Sequence, residues 1–318
     1  ELKKNTEFIK TVLSEDPFPE SIEPECLRAA VRSYPFRGGK RIRPAILLWS
    51  CGALQGNIEK AVFAAAAIEI YHNWTLVHDD IIDGDEFRRN LPTTHVELAT
   101  HAAAAYGASK SAAAKFGRDF AILTGDLQQA WAVDMFLRST EKGVSPDLVI
   151  KLVRMLQEKV NRELLSGEAL DVEFPMKPLR SVSRRDVMKM MSGKTSSLLR
   201  FSAQCGGAIA IDSADFTKAP LACLGDFAES LGLAFQLRDD YLGVFGTQDE
   251  FGKPICSDFK ERKHTVLCLE AWERLDDKGR AELAELSGLL AYGDAEIGKI
   301  RKLLSDCGAA DAILKESE

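Results

Sequence analysis

Three aspartates, Asp79, Asp80 and Asp83, stand in HNWTLVHDDIIDGDEFRR, residues 72 to 89. On a helix, Asp79 and Asp83 are one turn apart, about 6 Å along the axis, and point the same way. Like charges so placed destabilise a helix by about a few tenths of a kcal/mol, and Asp is a poor helix former besides. A solvated helix end offsets this; so does a bound cation. A second acidic pair, Asp239 and Asp240, follows an apolar run in LGLAFQLRDDYLGVFG. Two such clusters turned towards each other repel unless a cation lies between them. A carboxylate set without paired His or Cys suits Mg²⁺ better than Zn²⁺, and Mg²⁺ is usually held by a few carboxylates plus the phosphates of a substrate. The chemistry these residues suggest is metal-assisted handling of a phosphorylated ligand.

Contacts for such a ligand are available. FRGGKRIRP, residues 36 to 44, places Lys40, Arg41 and Arg43 after a glycine pair that lets the backbone approach a ligand closely. RRN supplies Arg88 and Arg89, SGKTSSL supplies Lys194 and Thr195, and FGKPICSDFKERKHT supplies Lys253, Lys260 and Lys263. Each cluster alone reads as solvated surface. Their repeated position beside helix ends and acidic motifs distinguishes them.

The elements that must position these groups are helices. Residues 60 to 78 are apolar on nearly every side apart from Lys60, Glu69 and His72, the pattern of a helix inside a bundle. Helical periodicity also predicts 117–137, 147–171, 185–211, 220–245 and 263–275. Their breaks are short: GVSP at 143–146, PMKP at 175–178 and GTQDEFGKP at 246–254. The Ala-rich stretch 101–115 reads as a small-residue packing helix with a loop. Without a Pro/Ser-rich linker, the chain is expected to form one all-α domain over residues 1–318.

Composition narrows the partners. An apolar fraction of 46% and a charged fraction of 28% are those of a globular protein. A net charge of -7 disfavours a nucleic-acid backbone as main partner. Seven scattered cysteines without CxxC spacing suggest reduced thiols and a cytoplasmic location. The start ELKKNTEFIK has no apolar signal region, and no stretch approaches about 18 uninterrupted apolar residues, so neither secretion nor a transmembrane segment is expected.

Six stretches occur in one order between about residues 36 and 266: GGKRIRP, HDDIIDGDEFRRNLPTTH, LTGDL, SGKTSSL, FQLRDDYLG and GKPICSDFKERKHT. In these the chain resembles the trans-type isoprenyl diphosphate synthases, or polyprenyl synthetases, of the short-chain farnesyl and geranylgeranyl kind. The resemblance implies a single large helical bundle around a central cavity, a homodimer, and head-to-tail condensation of isopentenyl diphosphate with an allylic diphosphate. It implies three Mg²⁺ ions with substrate bound, with Asp79, Asp83 and Asp239 as metal ligands and Asp80 and Asp240 as their neighbours. Lys40, Arg43, His72 and Arg89 resemble the isopentenyl diphosphate pocket. Arg88, Lys194, Thr195, Gln236, Lys253 and Lys263 resemble contacts to the allylic diphosphate, with Lys194 and Lys253 aiding its departure. In this family bulky groups at the positions of Trp74 and Tyr71 form a floor that stops chain growth, which implies a short C15 or C20 product.

The chain departs from the family pattern twice. The second acidic motif ends in Gly243, which removes a third carboxylate and puts the third metal site in question, and Glu168 in LLSGEALD stands where many relatives have Gln. The alternatives are a class I terpene cyclase, disfavoured by the second basic pocket of GGKRIRP and RRN, and a catalytically weak regulatory subunit, disfavoured by the intact first acidic motif.

Overall fold

A 25-residue helix, rich in small apolar side chains along its middle, organises the first part of the molecule. In the computed structural model, which describes residues 2–247 and 254–318, this helix is α4, Ile58–Ile82. Asn57 caps its start by accepting the Glu59 amide at 3.0 Å. Its buried residues run almost without pause from Ala61 through Ala67 to Ile70, Tyr71, Trp74 and Val77. Four consecutive alanines (Ala64 to Ala67) let neighbouring helices approach closely on every side, and apolar burial all round is what the sequence of this segment requires.

The chain divides into two compact units, Glu1–Glu158 with Leu198–Asp226, and Lys159–Ser197 with Phe227–Glu318. The first unit contains α1 (Leu2–Glu15), α2 (Glu25–Phe36), α3 (Ile42–Ala53), α4, α5 (Thr94–Tyr106), α6 (Lys110–Leu137), α7 (Pro146–Met155) and nearly all of α10 (Ser197–Ile211). Helices α3 and α6 pack on α4, and α5 packs on α6. The far end of α6 is fixed by Trp131, whose indole donates to Asp16 at 2.9 Å, and by Phe136 against Phe201 at 6.1 Å. A two-residue antiparallel pair, β1 (Phe87–Arg88) with β2 (Leu91–Pro92), follows α4, in register Arg88 to Leu91.

The second unit contains α8 (Asn161–Glu173), α9 (Arg184–Met191), most of α11 (Leu221–Phe245), and the helices Val266–Arg274, Asp277–Leu286, Asp294–Asp306 and Ala309–Glu316. They enclose their own core, with Val187, Met191, Leu237, Val266, Ile300 and Ile313 at its centre.

The helices expected from periodicity are present, and the architecture is all-α. The Ala-rich stretch resolves into the end of α5, a turn, and the start of α6. Two expected helices are not continuous: π turns at Leu156–Val160 and Ser192–Ser196 interrupt 147–171 and 185–211. A single-turn π bulge leaves no mark on apolar periodicity, and such bulges are frequent at functional sites. All seven cysteines are free thiols. Among the described residues no helix is long and apolar enough to cross a membrane.

Candidate functional site

In the first unit, Asp79, Asp80 and Asp83 occupy the C-terminal end of α4, where the helix macrodipole is itself negative. Carboxylates there raise the electrostatic cost of the helix, so cations must meet them. Arg88 is one the chain supplies: its Nε donates to Asp80 Oδ1 at 2.6 Å and its Nη2 to Asp79 Oδ2 at 2.9 Å. Asp80 is fully buried, and its other oxygen accepts from the Tyr34 hydroxyl, which in turn accepts the Thr94 amide at 3.2 Å. Burial raises the Asp80 carboxyl above its usual range, although Arg88 and Tyr34 favour the ionised form. Burial also opposes charge on Arg88, but Asp80 and Asp79 outweigh it and hold the guanidinium protonated.

The adjacent aspartates thus divide: Asp80 turns inward as an anchor, and Asp79 and Asp83 remain half-exposed. A carboxylate oxygen of Asp79 and one of Asp83 lie within 4.8 Å of each other. Mg²⁺–O distances of about 2.1 Å put two ligands of one ion at most about 4.2 Å apart, so a small side-chain rotation fits this hard-oxygen pair to Mg²⁺.

The tight turn between β1 and β2 separates the paired arginines. Arg89 and Asn90 both have positive φ, 55° and 61°, as a type I′ hairpin turn demands. Arg88 therefore faces Asp80, and Arg89 leaves in another direction to donate to the Gly38 carbonyl. Gly39, at φ +127°, accepts this approach because a Cβ there would lie 2.9 Å from the Arg89 guanidinium. On the same side of the sequence motif, Arg43 Nη1 lies 3.1 Å from His72 Nε2. A guanidinium only donates, so His72 Nε2 accepts and the ring is neutral with its proton on Nδ1. Burial, then the charges of Arg43, Arg89, Arg88 and Arg41, hold the imidazole well below its usual pKa. Burial likewise pulls Arg43 down to about 10. Its Nε is buried with no hydrogen-bond partner among the described residues, a donor suited to an incoming anion. Lys40 is exposed.

Arg41 differs from its neighbours in the basic motif. It is buried, with φ +50°, and donates to Glu69 of α4 and to the Pro35 carbonyl. Glu69 is itself buried and takes a second hydrogen bond from Asn73 Nδ2 at 3.0 Å. Arg41 is thus a tether for the glycine turn, not a surface charge. Further along α4, Tyr71 and Trp74 are buried edge to face, with ring centroids 4.8 Å apart, and Trp74 meets His78 at 5.9 Å.

In the second unit the π turn Ser192–Ser196 carries Lys194 and Thr195. It lies directly on α8: a Cβ on Gly167 would fall 2.3 Å from the Lys194 amide nitrogen, and one on Gly193 2.6 Å from the Glu163 carbonyl. Lys194 Nζ pairs with Glu168 at 2.9 Å and Asp171 at 2.7 Å, and Lys263 Nζ reaches Asp171 at 3.4 Å and Glu261 at 3.0 Å. Thr195 donates to Gln236 Oε1 at 2.9 Å, and Gln236 Nε2 donates to Asp240 at 3.0 Å. Asp240 is buried, and burial, then Asp258, raises its carboxyl well above the usual range. Asp239 is half-exposed. It closes a series at four-residue spacing on α11, Phe227, Leu231 and Phe235, which are 62%, 38% and 44% exposed. Lys253 lies outside the described residues.

The structure therefore brings together Asp79, Asp83 and Arg88; Arg43 and His72; and Lys194, Lys263, Thr195 and Gln236. Tyr34, Glu69 and Asp171 complete these groups. Glu69 was marked in the sequence as the lone acid in an apolar run; Tyr34 carried no local signal.

The polyprenyl synthetase family model matches residues 24–306. The chain is 38% identical over 234 residues to a geranylgeranyl diphosphate synthase of Saccharolobus solfataricus, a match that takes in 73% of this chain and 62% of that protein. It is 32% identical to a short chain isoprenyl diphosphate synthase of Methanocaldococcus jannaschii over 95% of this chain and 81% of that one. The fold superposes with a TM-score of 0.87 on geranylgeranyl pyrophosphate synthase of Corynebacterium glutamicum, solved with isoprenyl diphosphate and magnesium, at 27% identity over 100% of this chain and 90% of that one. Acidic helix ends, two sets of basic groups and a match that runs nearly from end to end have one reading: the chain belongs to the polyprenyl synthetase family.

Proposed function

We propose that this protein condenses isopentenyl diphosphate with an allylic diphosphate, head to tail and with Mg²⁺, to give a short trans-prenyl diphosphate of C15 or C20. The observation that carries the reading is the division of labour at the end of α4: Arg88 and Tyr34 hold Asp80 inward, while Asp79 and Asp83 stay paired and half-exposed. Mg²⁺, three ions in this proposal, would supply the positive charge that a departing diphosphate needs, held by Asp79, Asp83 and Asp239.

The remaining work falls to side chains. Lys40, Arg43, His72 and Arg89 bind the isopentenyl diphosphate, with the unpartnered Nε of Arg43 as a ready donor. Arg88, Lys194, Thr195, Gln236, Lys253 and Lys263 orient the allylic diphosphate and offset charge on it as the C–O bond breaks. Phe227, Leu231 and Phe235 give the prenyl chain an apolar wall that begins one turn from Asp239 and keeps water from the allylic cation. The double bond of isopentenyl diphosphate attacks that cation and a proton leaves, with the released diphosphate as acceptor. Trp74 and Tyr71 limit product length. Both units serve this one reaction as a single domain, the active species is a homodimer, and the free thiols suit a reducing cytoplasm.

The test is incubation of the pure protein with isopentenyl diphosphate and each allylic diphosphate in turn, with Mg²⁺ or with chelator, followed by chain-length analysis. C15 or C20 product that disappears with chelator, and that falls by about 10²-fold or more in Asp79→Ala, is the expected result. Absence of product with every allylic partner, or full activity in Asp79→Ala, overturns the reading.

A further inference from the structure

A cavity of about 180 Å³ in the second unit shares only Lys263 with the groups already described. Its lining includes Lys177, Arg262, Lys263 and His264, and among the described residues it includes no carboxylate. The other walls are apolar, chiefly Leu179, Trp272 and Leu283.

The cations are not equivalent. Lys177 is occupied by Glu173 at 3.0 Å, and Lys263 by Asp171 and Glu261. Arg262 is exposed and makes no ion pair among the described residues. Its guanidinium is nonetheless placed, because it lies over Gly288, where a Cβ would fall 2.0 Å from Arg262 Nε. His264 is only 8% exposed, yet its Nδ1 has no hydrogen-bond partner among the described residues. A buried ring nitrogen left unpaired is destabilising, because it has given up water without gaining a partner. Such a group at the wall of a cavity points to something that enters and pairs with it. Next to it lie an uncommitted guanidinium, suited to a planar or tetrahedral anion, and the indole of Trp272, which Arg280 meets at 5.7 Å from the ring centre and which lends the cavity wall an aromatic surface suited to a flat apolar group.

We propose that this cavity is an accessory binding site for a small organic anion, its charged head on Arg262 and His264 and its apolar body against Leu179, Trp272 and Leu283. The volume admits a single ring or a short branched chain and excludes a full prenyl diphosphate of product length. One wall is Lys263, which the proposed function assigns to the allylic diphosphate, so occupancy of the cavity bears on that residue. The effect on the reaction rests on the proposed function; binding itself does not.

Isothermal titration of the intact protein with phenyl phosphate and, in a second arm, with benzoate tests the site and tells a phosphoryl from a carboxylate head. Each titration is run with saturating Mg²⁺ and inorganic diphosphate, which occupy the diphosphate sites. The expected result is one further equivalent bound, weakened about tenfold or more in Arg262→Gln and in His264→Gln. Arg262 is exposed, so its variant keeps the fold and leaves prenyl transfer without added anion unchanged. No binding in either arm, or binding that neither substitution weakens, overturns the proposal. Binding with the expected weakening in a protein that makes no prenyl product retains the site and removes only its link to the reaction.

Discussion

At the scale of single residues, the neutral state of His72 is the most constrained feature of the basic pocket. Arg43 can only donate to its Nε2, and burial together with four arginines keeps the ring from charging. An unfolded histidine takes up its proton near pH 6.5, well above the point at which His72 does so in the folded protein. Between those two points the unfolded chain binds the extra proton, so folding stability rises with pH there. The contribution is intact above about pH 6.5 and is lost below it at up to about 1.4 kcal/mol per pH unit. His72→Gln should flatten this acid limb, read as denaturant midpoints at pH 7.5 and 5.5 in the two proteins; parallel curves would remove His72 from the account. Trp74 offers a second residue-scale outcome. It is 5% exposed and wedged between Tyr71 and His78, so Trp74→Ala should cost about 3–5 kcal/mol as a core truncation. The space left should lengthen the product by roughly one isoprene unit or more, visible in the chain-length profile. An unchanged profile in a folded variant would make Trp74 an ordinary core residue.

At the scale of elements, α4 carries most of the first unit's chemistry, and most of it was legible. Apolar residues on every side fixed a buried helix over 60–78, and the Asp79–Asp83 spacing placed two carboxylates on one face. What was not legible depends on partners far away in sequence or on backbone turns with no marker residue. Tyr34 reaches Asp80 across 46 positions. The β1–β2 turn uses Arg89 and Asn90 where Asn-Gly is the usual signal, so the opposite directions of the paired arginines were hidden. The π turn under Lys194 has an ordinary helical sequence. Arg41 reads as one more cation in a basic motif, and only the buried acid on α4 turns it inward. That tether is testable as an element-level device. Arg41→Met strands Glu69 as a buried, unpaired acid and should cost about 3–5 kcal/mol in chemical denaturation. Removing both charges in Arg41→Met with Glu69→Leu should recover most of that loss. If the tether sets the glycine turn, the double variant should still show a raised KM for isopentenyl diphosphate with the allylic KM unchanged. Equal changes in both constants would reduce the pair to a stability element.

At the scale of the whole molecule, the proposed homodimer must overcome a like charge of -7 on each chain. Apolar contact is the available force, and α5 and α6 present it. Tyr106 is 64% exposed and meets Phe116 edge to face at 5.9 Å; Phe116 stacks on Phe120 at 4.0 Å, and Leu123, two turns beyond Phe116 on the same face of α6, is 46% exposed. Single exposed apolar side chains are ordinary, but an aromatic and aliphatic row on two packed helices is the surface on which the proposed homodimer would meet. Light scattering should therefore give about twice the 35.0 kDa of one chain, and Tyr106→Glu with Leu123→Glu should return the monomer mass. Because the chains repel and the contact is apolar, moderate salt should strengthen association: screening falls on the repulsion and spares the apolar row. A wild-type monomer at all salt concentrations, or a dimer that survives both substitutions, would place the contact elsewhere or nowhere.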